Sequence, residues 1–133
     1  MMSSHPGPLQ AIQSVLLAFP ISCFSLTYIS DIAYWRTENL LWLHFSEWLL
    51  LAGLVAGFPA VVLHGFIYFL YRTRFSWLAI AGGIIALLLA VSNSLVHTAD
   101  GWTAVVPAGL ILSTLTVAVM IIAGWFAANG SAS

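Results

Sequence analysis

The 133-residue sequence contains no lysine, three arginines and one cysteine, and only 5% of its residues are charged. Soluble globular domains carry about 25% charged residues. The shortage excludes a water-soluble enzyme and a solvating disordered tail. A net charge of −1 leaves no phosphate-binding surface, so nucleic acid is not an expected partner. The lone Cys23 excludes an intramolecular disulfide and any Cys-x-x-Cys metal or redox motif. In its apolar stretch it reads as a small buried hydrophobe. Residues 1–10 hold neither Lys nor Arg, so the basic start of a secretory leader is missing and the first apolar segment reads as a retained anchor. Glycine-rich phosphate loops, metal-ligand spacings and a Ser/His/Asp set on a catalytic scaffold are also missing. The expectation is therefore a non-enzyme with no catalytic and no metal-binding residues.

Greasy sequence fills the chain instead: 62% is hydrophobic and 14% aromatic, with a mean hydropathy of +1.04. A helical membrane crossing takes about 20 residues, so the length accommodates four with short loops. The predicted fold is all-α, a polytopic membrane four-helix bundle forming one domain over residues 1–133. Its spans fall at about 11–34, 40–63, 77–96 and 105–126. The second apolar stretch continues to Tyr71, too long for one straight crossing of about 30 Å of hydrocarbon. A break at Gly57 and Pro59 would turn 64–71 into an interfacial extension; strong tilt is the competing explanation. Pro20 can kink the first span, and Pro107 suits the first turn of the fourth. The small, polar residues at the end suggest a disordered tail over 127–133.

Orientation rests on three arginines. Arg72 and Arg74 lie between the second and third spans, whereas Arg36 shares the first loop with Glu38. Cytoplasmic loops carry the excess of Lys and Arg, which places both termini in the cytoplasm. Trp35, Trp42, Trp77 and Trp102 fall near span ends, as interfacial belts require.

Candidate functional residues follow from what is costly or unusual in lipid. Gly53 and Gly57 form a GxxxG, doubled by Ala52 and Ala56. Small residues four apart let a second helix backbone approach closely, either within the bundle or at a subunit interface. Gly82 and Gly83 could serve the same contact. Glu47 and Asp31 are intramembrane carboxylates, which are functional hypotheses by default. His44 is on the same helical face as Glu47, a pairing suited to a proton relay, to a quinone headgroup or to simple mutual satisfaction. By depth, His44 and His97 share one membrane level, as two axial ligands of a b-type haem would. His64 belongs to the opposite side, with Ala60 opening space for a flat tetrapyrrole, haem or chlorophyll. Ser92, Asn93, Ser94, Ser113, Thr114 and Thr116 are candidates for hydrogen bonds between helices.

Several motifs together resemble a known family. They are His5-Pro6, Phe19-Pro20-Ile21, the stretch from Asp31 to Thr37, Trp42 with Ser46 and Trp48, Ala52-Gly53-Leu54, Asp100-Gly101, the stretch from Pro107 to Ser113, and Gly124-Trp125. On these the chain is identified as a member of the bacterial membrane-protein family called domain of unknown function 2231. The resemblance implies a four-span bundle and a distant similarity to di-haem membrane cytochromes. It assigns no activity. The family's histidines ahead of the Phe-Pro-Ile element and at the start of the third span are replaced here by apolar residues, Ala79 near the latter, which argues against haem.

The functional expectation is a small non-catalytic subunit of the bacterial inner membrane. It would pack against or anchor a larger respiratory or photosynthetic complex, touching membrane lipid and other membrane subunits. Two alternatives stand beside it. One is a tetrapyrrole-binding electron-transfer or pigment subunit using His44, His97 or His64; the other is a proton or small-solute pathway through Glu47.

Overall fold

Inside a hydrocarbon layer a backbone must satisfy its own polar groups, so long apolar runs become helices. A computed structural model describes residues 7–71, 77–99 and 105–130 of the chain. In it, α1 spans Pro8–Thr37, α2 Leu40–Tyr71, α3 Trp77–Ala99 and α4 Leu110–Gly130, with a π-helical turn at Val105–Gly109 leading into α4. All four are long and apolar enough to cross a membrane. No strand occurs among the described residues. The all-α four-helix membrane bundle is thus the observed fold.

The buried positions of α2 are Leu43, Ser46, Leu50, Gly53, Gly57, Ala60, His64 and Ile67. Steps of three and four residues are the heptad seam of left-handed helix pairs. The other helices present matching stripes: Cys23, Phe24, Thr27, Ser30, Asp31 and Tyr34 on α1, and Ala86, Ala90, Asn93 and His97 on α3. Consecutive helices are antiparallel neighbours, and α1 and α4 close the ring through a thinner contact. Two residues suffice to turn α1 into α2. Glu38 adopts the left-handed conformation, its N–H donating to the Tyr34 carbonyl at 2.7 Å, and the Asn39 side chain accepts from the Leu41 N–H at 3.0 Å.

The distribution of side chains is inverted relative to a soluble bundle. Phe69, Trp48, Val15 and Leu41 are each at least 70% exposed, whereas the most buried groups include Asp31, Ser46, Asn93 and His97. Water would forbid that pattern, while lipid favours it.

Three expectations need correction. First, α2 runs unbroken to Tyr71. Gly57 is held from both sides, a Cβ there standing 2.9 Å from Leu87 and 3.3 Å from Pro20, so nothing loosens the helix at that point. At 1.5 Å per residue α2 is about 48 Å long and outreaches the hydrocarbon. Second, residues 127–130 are helical, because the apolar character of α4 carries the small residues after Trp125 with it; 131–133 lie outside the described residues. Third, Pro107 falls in the π-helical turn, ahead of the regular helix, because Val106 has extended backbone angles. Arg72, Arg74, Asp100, Trp102 and His5 also lie outside the described residues.

Candidate functional site

Asp31 sits six residues before the end of α1 and is wholly buried. A carboxylate in such a place is tolerable only if donors surround it. Its Oδ1 accepts from the Ser46 hydroxyl of α2 at 2.7 Å and meets His97 Nε2 of α3 at 2.9 Å. Its Oδ2 accepts from the Ser113 hydroxyl of α4. Ser113 in turn accepts from Asn93 Nδ2 at 2.8 Å. One carboxyl group therefore joins all four helices.

The imidazole fixes the proton count. His97 Nδ1 faces the Asn93 backbone carbonyl at 2.9 Å, which can only accept, so Nδ1 carries a proton. The Nε2–Oδ1 contact then holds one further proton, on the ring or on the carboxyl group, and in either case the pair is neutral. Gly109 allows the π-helical turn to close over this ring: a Cβ there would stand 3.1 Å from His97 Cε1.

These residue types are those of a nucleophilic triad, but the wiring differs. In a triad the imidazole takes the hydroxyl proton and the carboxylate orients the imidazole. Here both serines donate to the carboxylate, and the whole group is sealed from the surface. What this arrangement does is lock the bundle.

A second buried polar pair lies toward the other end. Gln13 of α1 and His64 of α2 are hydrogen-bonded through Gln13 Nε2 and His64 Nδ1. Between this pair and the middle of the bundle is a cavity of about 150 Å³ to which all four helices contribute. Its walls are apolar except for His64.

His44 and Glu47 form the expected pair, with Nδ1 and Oε2 3.2 Å apart. They face outward, with side chains 63% and 30% exposed. The haem reading of His44 with His97 is not supported: one ring faces out, and the other has both nitrogens engaged in the core. Ala60 is fully buried within the seam, and the cavity beside His64 is smaller than the roughly 300–1,000 Å³ of drug-sized pockets, too small for a tetrapyrrole. Among the described residues no three His, Cys, Asp or Glu side chains cluster as metal ligands.

The glycine face also turns inward. A Cβ on Gly53 would stand 2.5 Å from Phe24 Cε1, and one on Gly82 would stand 2.5 Å from Ala123 Cβ. Gly53 and Gly57, flanked by the half-buried Ala52 and Ala56, are filled by α1 and α3 of the same chain, leaving no room there for a partner subunit.

The sequence reading missed Gln13 as a partner of His64. Both are polar residues inside apolar stretches on the same side of the bundle. Sorting every polar residue by depth, beyond the histidines, would have matched them.

No curated protein and no solved structure is similar enough to the chain to count as a match. A family model does match, over residues 10–131, which takes in Asp31, Ser46, Asn93, His97 and Ser113 along with all four helices. The chain belongs to the family described as "Predicted membrane protein (DUF2231)".

Proposed function

We propose that the protein is a small non-catalytic subunit of the bacterial inner membrane. In this reading it packs against a larger membrane complex, respiratory or photosynthetic, through the outward face of α2. The observation that carries this is the His44–Glu47 pair. It lies on the outer surface of a membrane helix, with Glu47 about 10 Å along α2 from Leu40, beside the exposed Trp48, Leu41 and Phe45. Polar groups that face lipid are costly, and a partner's polar side chains would relieve that cost. Aromatic residues beside polar ones are also what interface centres favour. The sealed wiring of Asp31 and His97 supports a non-catalytic role, because no substrate reaches it.

The test is native gel electrophoresis of membranes dissolved in mild detergent. The wild-type chain is expected to migrate in an assembly much larger than itself. Glu47→Trp should release it to its own size without loss of helical circular dichroism. Migration of both at the size of the free chain would refute the reading.

A further inference from the structure

The cavity of about 150 Å³ between the helices is separate from the outward face of α2 and from any partner on it. Its walls include Pro20 and Phe24 of α1, Gly57 of α2, Ala86 of α3 and Met120 of α4. All of these except the half-buried Met120 are buried. Two other lining residues, Ile21 on α1 and Gly124 on α4, are exposed on the bundle surface. A Cβ on Gly124 would meet nothing within 4 Å. Together they mark a mouth between α1 and α4, the neighbouring helices in thinnest contact. The depth of this mouth follows from its place along each helix. Ile21 is the fourteenth of the 30 residues of α1, close to its middle. Gly124 is about 10 Å from the middle of the Val105–Asn129 span, inside a hydrocarbon half-thickness of about 15 Å. The mouth therefore opens among acyl chains, away from the headgroups.

We propose that this cavity is a binding site for the end of one acyl chain of a bilayer lipid, which enters between α1 and α4. Three contents are conceivable: water, nothing or hydrocarbon. A buried water needs about two to four polar partners, whereas His64 is the only polar side chain of the lining. Left empty, the space would deprive the wall of dispersion contacts on one side. Hydrocarbon restores those contacts and stands at the mouth wherever the protein is in a membrane. Size agrees with this occupant. An apolar cavity of about 150 Å³ in another protein stays dry and takes up benzene, so a chain end of about six carbon atoms fits the volume found here. Recognition by shape and depth alone makes the site indifferent to the headgroup, which stays at the interface while the chain end turns inward.

The experiment reconstitutes the full chain in phosphatidylcholine vesicles with a trace of the same lipid carrying a diazirine near the end of one chain. Illumination turns the diazirine into a carbene that inserts into neighbouring C–H bonds, and mass spectrometry of the peptides locates the adducts. Adducts are expected at the buried Pro20 and Phe24 as well as at the lipid-facing Val15 and Leu88. Gly124→Trp, which covers the mouth from an open position, should lose the adducts at Pro20 and Phe24 and keep those at Val15 and Leu88. Ala86→Leu, which fills the cavity, should do the same. A phosphatidylglycerol probe with identical chains should label the same residues. Adducts confined to outward-facing residues would overturn the proposal, as would adducts at Phe24 that persist in Gly124→Trp or that require one headgroup. The wild-type chain with the two probes and Gly124→Trp decide the matter even if Ala86→Leu fails to fold. None of these outcomes depends on whether the α2 face has a partner.

Discussion

Asp31 is the residue on which Ser46, His97 and Ser113 converge, and its contribution can be separated from theirs. Ser46→Ala removes one of three groups that contact the carboxyl, leaving His97 and Ser113 in place. Hydrogen bonds between membrane helices average about 0.6 kcal/mol, so that variant should lose about this much. Asp31→Ala strands two hydroxyls and an imidazole in the core. Each buried polar group left without its partner costs about 1–3 kcal/mol, so the expected loss is several times that of Ser46→Ala. Denaturant unfolding of both variants in detergent measures the difference; similar losses would show that the carboxyl is not the hub. At this scale the sequence was partly legible. Asp31 stood out as a carboxylate in lipid, and Asn93 and Ser113 were two of six polar groups able to bond between helices, of which Ser92, Thr114 and Thr116 turn back to their own helix. Depth alone could not say which way each side chain points, so His97, bonded in the core, was paired with His44, which faces outward. Helical phase contains the answer. If Gly53 and Gly57 face inward, so do Ser46, Leu50 and His64, while Glu47 lies one residue, about 100°, around the helix from Ser46 and His44 two residues, about 160°.

At the scale of elements, the close approach of α1 to α2 depends on a missing side chain. A Cβ on Gly53 would overlap the buried Phe24 ring, whereas one on Gly65 meets nothing within 4 Å. Both positions lie in the same helix, so helix propensity favours alanine equally at each, by up to about 1 kcal/mol. Overpacking at Gly53 opposes that gain with a cost of about 1–3 kcal/mol. Gly65→Ala should therefore be neutral or mildly stabilising, and Gly53→Ala destabilising, in thermal melts followed by circular dichroism. Equal effects would remove the steric account. The small-residue pattern was visible in the sequence, but its partner was not, because GxxxG specifies close approach without naming the opposing helix. The continuity of α2 was illegible for a related reason. Glycine and proline mark where a helix can break, and only the packing of Pro20 and Leu87 around Gly57 decides that it does not.

For the whole molecule, the placement of bulk and polarity decides the environment, and the arginines give an expectation for the orientation. Large apolar side chains cover the outside, while Asp31, His97, Asn93 and buried serines share the inside with Phe24, Leu43 and Leu50, an arrangement stable only when the surroundings are as apolar as the surface. That feature was legible from composition alone, since a chain with 5% charge cannot clothe a bundle for water. Which way the bundle faces depends on much less. The α1–α2 turn carries Arg36, whose guanidinium lies 5.4 Å from the centre of the Trp35 ring, with Glu38 close behind it. The α2–α3 connection holds Arg72 and Arg74 with no acidic residue between them. Positive charge resists translocation, so the α2–α3 connection is expected in the cytoplasm, and both termini with it. Single cysteines at Thr37 and Thr73 test this while leaving every arginine in place, and the native Cys23 is buried and should stay silent. In intact spheroplasts a membrane-impermeant maleimide should label Thr37→Cys and reach Thr73→Cys only after lysis. The opposite pattern would mean that helix packing overrides two arginines in setting the orientation.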